Sequence, residues 1–203
     1  MAKKSMYSVH PGVEMTIQWI ATLKERTGRS VEEWMKFIKK EGPATEAERR
    51  EWLKATQKMG TNHARWFAAR SVGKGAEDED PEAYLKAAEK WVEAMFEKKP
   101  LLRPLYEAAL QIGMSLGKDV KVCPCQTMVP FYRKNQFAKL IAATKTRLDL
   151  GLCLRGMPFS KRLTDTGGTA KKDRITHNLA ITSLDDLDAE LKKWWKKAYE
   201  MDG

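Results

Sequence analysis

The feature that most constrains this chain is a helix–glycine–helix pattern that occurs twice in its first third. Each copy carries a tryptophan, a turn glycine and a second tryptophan at nearly the same spacing: Trp19, Gly28 and Trp34, then Trp52, Gly60 and Trp66. Apolar residues recur at helical spacing around these tryptophans, which is typical of helices that bury one face. Two copies are too few for a stacked solenoid, so the pattern predicts a small bundle of two helical hairpins.

Start and stop signals predict four helices in this module, which covers residues 1–75. The first spans residues 13–26, and Ser30 and Thr45 open the next two. Each of these caps is followed three residues later by a glutamate that can complete a capping box. Thr61 or Asn62 is the expected cap of the fourth helix.

Charge divides the chain into three blocks. The formal net charge is +10, made up of +7 over residues 1–75, −6 over residues 76–97 and +9 over residues 98–203. The acidic run 76–80 is predicted to be a linker. A positive excess attracts polyanions such as nucleic acids, but it also occurs in proteins that have no such partner.

The C-terminal part, residues 81–203, is predicted to be an α+β domain. Two helices precede short β-rich segments that lack strand–helix alternation, so an antiparallel sheet with helices on one face is expected. Residues 147–154 form the clearest strand, with leucines on one face and Arg147 and Asp149 on the other. His177 alternates with apolar residues and should share their buried face.

A final helix is predicted after Ser183, which would cap it together with Asp186. Its expected buried stripe recurs at helical spacing and consists of Leu184, Leu187, Leu191, Trp194 and Ala198.

The glycine pair between residues 165 and 174 is the best candidate for an anion site. Paired glycines can aim several backbone amides at one anion, and the flanking side chains add charge and hydroxyl groups. The candidate ligand-binding residues are Arg147, Thr166, Gly167, Gly168, Thr169, Lys171, Lys172, Arg174 and His177. The alternative is a flexible basic loop that joins two strands. The spacing of a Walker A motif is absent.

The second helical hairpin has the outline of a DNA-reading helix-turn-helix. Its later helix carries the candidate nucleic-acid-binding residues Asn62, His63, Arg65 and Arg70. Asparagine and arginine can read base edges, and histidine can contact a phosphate. The alternative is an ordinary solvated face of an antiparallel helix pair.

Cys123, Cys125, Cys153 and His177 match a zinc site in residue type but not in spacing, so no metal and no cofactor are expected. No catalytic set has diagnostic spacing, so no catalytic residues are predicted. The cysteine usage indicates a reducing, cytoplasmic setting. No apolar run is long enough for a membrane segment, and the basic opening lacks the apolar stretch of a signal peptide.

Several longer motifs carry a resemblance to known families. The segments Thr-Gly-Arg-Ser-x-Glu-Glu-Trp and Gly-Thr-Asn-His resemble a bacterial helical domain of unknown function. Residues 81–200, with Lys-Asp-Val-Lys-Val-Cys-Pro-Cys and Asp-Thr-Gly-Gly-Thr-Ala-Lys-Lys, resemble a second family of unknown function, an α+β domain that often follows the first. The resemblance implies a small bacterial cytoplasmic protein with an α+β C-terminal domain, and it supplies no activity.

Three functional hypotheses follow. The leading one is a non-enzymatic anion-binding protein whose partner is nucleic acid. The alternative is a protein or enzyme that binds a small phosphorylated or carboxylated ligand in a cleft near residue 147 and residues 165–177. The third is a protein-interaction adaptor that docks through the helical module.

Overall fold

A computed structural model describes residues 5–203 of the chain. The chain divides into two compact units, residues 10–85 and residues 86–203 together with the segment that ends at Val9. The N-terminal half is helical, and a six-stranded antiparallel sheet with a C-terminal helix follows. The α+β class predicted from the sequence is confirmed.

The helices of the first unit follow the predicted order, with the first one interrupted at Thr22. They are α1 (Pro11–Ala21), α2 (Leu23–Thr27), α3 (Val31–Glu41), α4 (Glu46–Thr56) and α5 (Thr61–Ser71). Both capping boxes are confirmed, at Ser30 with Glu33 and at Thr45 with Glu48. Gly28 ends α2 with a φ of 75°, the left-handed conformation that glycine adopts without strain.

The predicted cap of α5 is wrong. Gly60, not Thr61 or Asn62, is the N-cap residue, and no side chain caps this helix. Gly60 has an extended backbone, whereas Thr61 is already helical. Helix α4 ends at Thr56, so residues 57–60 link the two helices and Gly60 is the last residue of this link.

The tryptophans of the repeat pack together, as predicted. Trp34 and Trp66 are buried, and Trp19 packs edge-on against Trp66 with ring centroids 5.2 Å apart. The core also contains Phe67 and Leu53, which are fully buried. Burial of this apolar cluster is the main force that holds the two hairpins together.

The acidic segment 76–80 belongs to the first compact unit. A short 3₁₀ turn, Ala76–Asp78, follows Gly75, whose φ is 83°. The division between the units falls between Leu85 and Lys86, inside helix α6 (Pro81–Glu97).

The second unit combines the end of α6 with two further helices and the sheet. Its helices are α7 (Arg103–Met114) and α8 (Ala189–Met201). Its strands are β1 (Lys121–Val122), β2 (Val129–Tyr132), β3 (Gln136–Ala142), β4 (Leu148–Leu152), β5 (Thr164–Asp165) and β6 (His177–Ile181). All neighbours are antiparallel, in the order β1-β2-β3-β4-β6-β5.

The leucine face of β4 points into the core. Leu150 pairs with Leu140 on one side and Leu179 on the other, and all three are buried. Helices α7 and α8 pack on this face. A methyl group added at Gly113 of α7 would lie 2.4 Å from the Phe131 ring and 2.6 Å from the Trp195 ring. Only glycine allows α7 to come this close.

The structure corrects the start and register of the final helix. Ser183 caps a separate 3₁₀ turn, Leu184–Asp186, and Leu184 is 57% exposed. Asp188 caps α8 by accepting a hydrogen bond from the Leu191 amide. Trp195, four residues after Leu191 on the same helix face, is fully buried, whereas Trp194 is only partly buried.

Candidate functional site

Helix α8 presents four lysines on one face. Lys192, Lys193, Lys196 and Lys197 are all exposed. At 3.6 residues per turn they occupy an arc of about 140°, opposite the buried stripe of the helix. These lysines are not among the predicted site residues, although the pattern Lys-Lys-Trp-Trp-Lys-Lys contains the signal, since pairs four residues apart share a helix face.

Few acidic groups balance these lysines. Lys196 Nζ lies 3.9 Å from Glu200, where both side chains are more than half exposed, so the pair contributes little. Lys193 lies 5.5 Å from the centre of the Trp194 ring. Among residues 5–203, no ion pair to Lys192 or Lys197 is found.

A polar cluster extends the positive charge beyond α8. The guanidinium of Arg133 lies 4.4 Å from the centre of the Tyr199 ring, and Tyr199 is one helical turn after Lys196. Asp119 accepts hydrogen bonds from the Tyr199 hydroxyl at 2.6 Å and from Arg133 Nε at 2.7 Å. The Tyr199 hydrogen bond and then the Arg133 contact lower the pKa of Asp119.

Asp202 joins two more segments to the end of α8. This carboxylate is 3% exposed and accepts hydrogen bonds from the Asn135 backbone amide at 2.7 Å and from Arg174 Nη2 at 2.9 Å. Arg174 also donates to the Gln136 carbonyl at 3.3 Å. The turn after β2, which carries the exposed Lys134, and the basic loop before β6 therefore meet at the C-terminal end of α8.

We call this set of cations the basic edge. It consists of Arg133, Lys134, Arg174, Lys192, Lys193, Lys196 and Lys197. Within the described chain, three carboxylates form ion pairs with it: Asp119, Glu200 and Asp202. Cations that are distant in the sequence thus gather on neighbouring elements, with an excess of positive charge.

The amides of the glycine pair are already engaged. Gly167 donates to the Asp165 carboxylate at 2.7 Å, and Gly168 donates to the Thr166 hydroxyl at 3.0 Å. A methyl group added at Gly168 would lie 2.1 Å from the Ile175 carbonyl oxygen, so the second glycine serves a close backbone approach. The geometry explains the glycines by the turn itself rather than by an anion.

The basic side chains of the same loop face outward. Lys171 and Lys172 are exposed, as is the hydroxyl-bearing Thr169. The loop is held from the side by Arg155, which donates to the Asp173 carbonyl at 3.0 Å. Of the ligand-binding residues predicted here, Arg174 is the one that the structure connects to α8.

Arg147 and Asp149 lie on the face of β4 opposite the leucines, as predicted. Arg147 Nε is 2.9 Å from Asp149 Oδ1, and no well-aligned hydrogen bond to that buried oxygen is found among the described residues. No described contact joins Arg147 to Lys171, Arg174 or His177. The predicted ligand cleft therefore has no geometric counterpart in these contacts.

His177 is buried on the core face, as the alternation predicts. Its Nε2 donates to the Met157 carbonyl at 3.1 Å, which leaves Nδ1 to accept from the Thr176 hydroxyl at 2.8 Å. Phe159 covers the ring, with centroids 4.4 Å apart. Burial lowers the pKa of His177. This environment is that of a neutral structural histidine.

We expect acid to destabilise the second unit through His177. The folded chain binds a proton at His177 less readily than the unfolded chain, so the free energy of unfolding should fall as the pH drops below the ordinary histidine pKa of about 6.5. In His177→Gln, urea unfolding at pH 7.5, 6.5 and 5.5 should show a weaker pH dependence. The stability of the variant at pH 7.5 measures separately how much its altered packing costs. An unchanged slope between pH 7.5 and 5.5 would contradict this prediction.

The predicted nucleic-acid-binding residues of α5 have different surroundings. Asn62 is exposed, and the His63 ring stacks on Trp19 with centroids 4.1 Å apart. Arg65 and Arg70 form ion pairs with Asp78 and Glu79 of the acidic segment. The structure therefore places all four on the outside of α5, with both arginines paired internally.

The remaining candidates offer little chemistry. Cys123 is buried and Cys125 is partly buried, and burial raises the pKa of both thiols, that of Cys123 to about 12. Within residues 5–203, no group of three or more potential metal ligands is found. A shallow groove of about 560 Å³ is lined by Met95, Lys98, Gln126 and neighbours, and it includes none of the predicted site residues.

Each of the two units contains a segment that matches a known protein family. Residues 92–202, more than half of the chain, match the family described as Domain of unknown function (DUF5655). The chain belongs to this family. Residues 17–70 match a second family, Domain of unknown function (DUF4287). The resemblance to two consecutive domains of unknown function is confirmed. No curated protein and no solved structure matches the chain.

The matched segments separate the two sets of cations. The basic edge lies wholly within the DUF5655 segment, and the predicted residues of α5 lie within the DUF4287 segment. The acidic run 76–80 falls between the two matches. No helix in residues 5–203 of this DUF5655 protein is long and apolar enough to cross a membrane.

Proposed function

We propose that this protein binds nucleic acid, without catalysing a reaction, through the phosphates that its basic edge attracts. The observation that carries the proposal is the lysine face of α8, which is exposed and nearly free of acidic partners in the described chain. The formal net charge of +10 adds a long-range attraction for polyanions.

An anionic partner would relieve the repulsion between the lysines of α8. Lysines four residues apart on a helix repel each other and destabilise it by about 0.2–0.5 kcal/mol per pair. Helix α8 carries two such pairs, Lys192 with Lys196 and Lys193 with Lys197. A chain of phosphates would replace this repulsion with attraction and release bound counterions.

The chemistry of the edge favours backbone contacts over base reading. Lysine is a compact point charge, whereas base recognition relies mainly on bidentate groups such as arginine, asparagine and glutamine. Arg133 and Arg174 already hold Asp119 and Asp202. Binding is therefore expected to depend weakly on sequence and strongly on salt.

Fluorescence anisotropy with a labelled duplex of about 20 base pairs, at salt concentrations from about 50 to 200 mM, tests the proposal. The logarithm of the affinity should fall linearly with the logarithm of the salt concentration. In K192Q/K193Q/K196Q/K197Q, affinity at low salt should drop at least tenfold, and the salt slope should become shallower by about 1 for each phosphate that the variant no longer neutralises.

A matched control removes the same charge elsewhere. Lys86, Lys90, Lys98 and Lys145 are exposed and lie outside the basic edge. The variant K86Q/K90Q/K98Q/K145Q should retain most of the affinity. Equal losses of affinity in the two quadruple variants would mean that net charge alone, and not the basic edge, accounts for binding. The absence of duplex binding by the parent protein at about 50 mM salt would refute the proposal.

A further inference from the structure

The arginines of α5 are occupied by carboxylates of the same compact unit. Arg65 Nη2 lies 3.3 Å from Oδ1 and 3.2 Å from Oδ2 of Asp78, so one donor nitrogen faces both oxygens. Arg70 Nη1 contacts Glu79 Oε1. The acidic segment after Gly75 therefore lies against the helix that the sequence marks as a nucleic-acid reader.

The guanidinium groups themselves remain accessible. The side chains of Arg65 and Arg70 are 58% and 40% exposed, whereas those of Asp78 and Glu79 are 28% and 17% exposed. An arginine fork binds a phosphate in the same geometry as a carboxylate. Phosphates that approach from solvent can thus reach each arginine and compete with its carboxylate partner.

Glu79 provides a second, independent observation. Its Oε2 is buried and has no hydrogen-bond partner among residues 5–203. A buried carboxylate oxygen without a donor is unfavourable, so this contact is weaker than a fully satisfied ion pair. The segment also directly follows two glycines with positive φ, Gly73 and Gly75, where the backbone can change direction without side-chain strain.

We infer that Arg65 and Arg70 form a second phosphate-binding site, which Asp78 and Glu79 occupy as internal substitutes for phosphates. The ligand class is the phosphodiester backbone of nucleic acid, and in this respect the inference rests on the proposed function. The acidic segment limits binding at α5 until a polyanion displaces it.

The test is the isosteric variant D78N/E79Q in the full chain, which removes both charges and keeps side-chain size. With the same labelled duplex, affinity at about 50 mM salt should rise about tenfold. The salt slope should become steeper by about 1.8, because each additional phosphate that is neutralised adds about 0.9. Introducing R65Q/R70Q into D78N/E79Q should abolish the gain.

The control E77Q/E82Q removes two negative charges from the same stretch of chain. Among the described contacts, neither Glu77 nor Glu82 forms an ion pair with an arginine, so this variant frees no arginine. It should tighten binding much less than D78N/E79Q. Circular dichroism of every variant verifies folding. Equal effects of the two double variants, or a gain that survives R65Q/R70Q, would overturn the inference.

The outcomes also separate this inference from the proposed function. If the parent binds through α8 and D78N/E79Q behaves like its control, the second site is wrong and the proposed function stands. If only D78N/E79Q binds the duplex, and R65Q/R70Q abolishes that binding, the site on α5 stands and the basic edge is not the interface.

Discussion

Replacement of Trp195 by alanine should lower the free energy of unfolding by about 3–5 kcal/mol, the range for a large buried aromatic side chain. Trp195 is fully buried and packs edge-on against Phe131, with ring centroids 5.2 Å apart. Gly113 approaches the ring from α7, so alanine would leave a cavity where α7, α8 and the sheet meet. Urea unfolding followed by far-UV circular dichroism measures the loss.

Two matched variants make this result specific. Trp194 neighbours Trp195 on the same helix but is only partly buried, so Trp194→Ala should cost clearly less. Trp195→Phe should also cost less than Trp195→Ala, because it keeps an aromatic ring and removes an indole N–H that has no partner in the described chain. Equal losses for Trp194→Ala and Trp195→Ala would contradict the register of α8.

Replacement of Asp202 by alanine should lower the free energy of unfolding by about 2–4 kcal/mol. Its buried carboxylate accepts three hydrogen bonds, from the Asn135 backbone amide at 2.7 Å, the Asn135 side chain at 3.2 Å and Arg174 at 2.9 Å. The variant would leave these donors unpaired. Because Arg174 is 43% exposed and can turn to water, the expected loss lies below that of Trp195→Ala.

Asp202→Asn and Asp185→Ala are the controls for this experiment. Asparagine keeps an acceptor oxygen but loses the charge, so its loss should be intermediate. Asp185 is exposed, and its removal should change the free energy of unfolding by less than about 0.5 kcal/mol. If Asp202→Ala were as mild as Asp185→Ala, Asp202 would not hold the turn after β2 and the loop before β6 to α8.

Features that depend on near neighbours in the chain were predictable. Ser30 and Glu33 form their capping box because both partners lie within one helical turn. The leucines of β4 and His177 of β6 alternate in the sequence, and the structure buries them on one face. In each case the signal in the sequence, a cap or an alternation, spans only a few residues.

The start of the final helix shows how a local signal can mislead. Ser183 with Asp186 and Asp188 with the Leu191 amide are both plausible caps, and the sequence favours the first. Arg162 lies within hydrogen-bonding distance of Asp188 and the Asp186 carbonyl, which fixes the turn between them. A contact across more than twenty residues therefore holds the segment in which the final helix begins.

The candidate site depended even more on distant contacts. The glycine pair suggested an anion nest, yet Asp165 and Thr166 satisfy its amides. In the sequence, Arg65 and Arg70 look like exposed residues of a DNA-reading helix. Only the structure shows that Asp78 and Glu79 lie beside them. Side-chain pairing between segments cannot be deduced from composition or periodicity.

The sequence alone determined the helical hairpins, the α+β class and the blocks of charge, because caps, periodicity and net charge are properties of short stretches of chain. Only the tertiary structure decided which cations share a surface and which are neutralised. Arg133, Arg174 and the lysines of α8 come together because Asp202 and Tyr199 connect three segments that are far apart in sequence. Whether a charge can meet a ligand is set by these long-range neighbours, since a carboxylate that pairs with a cation competes with the ligand for it.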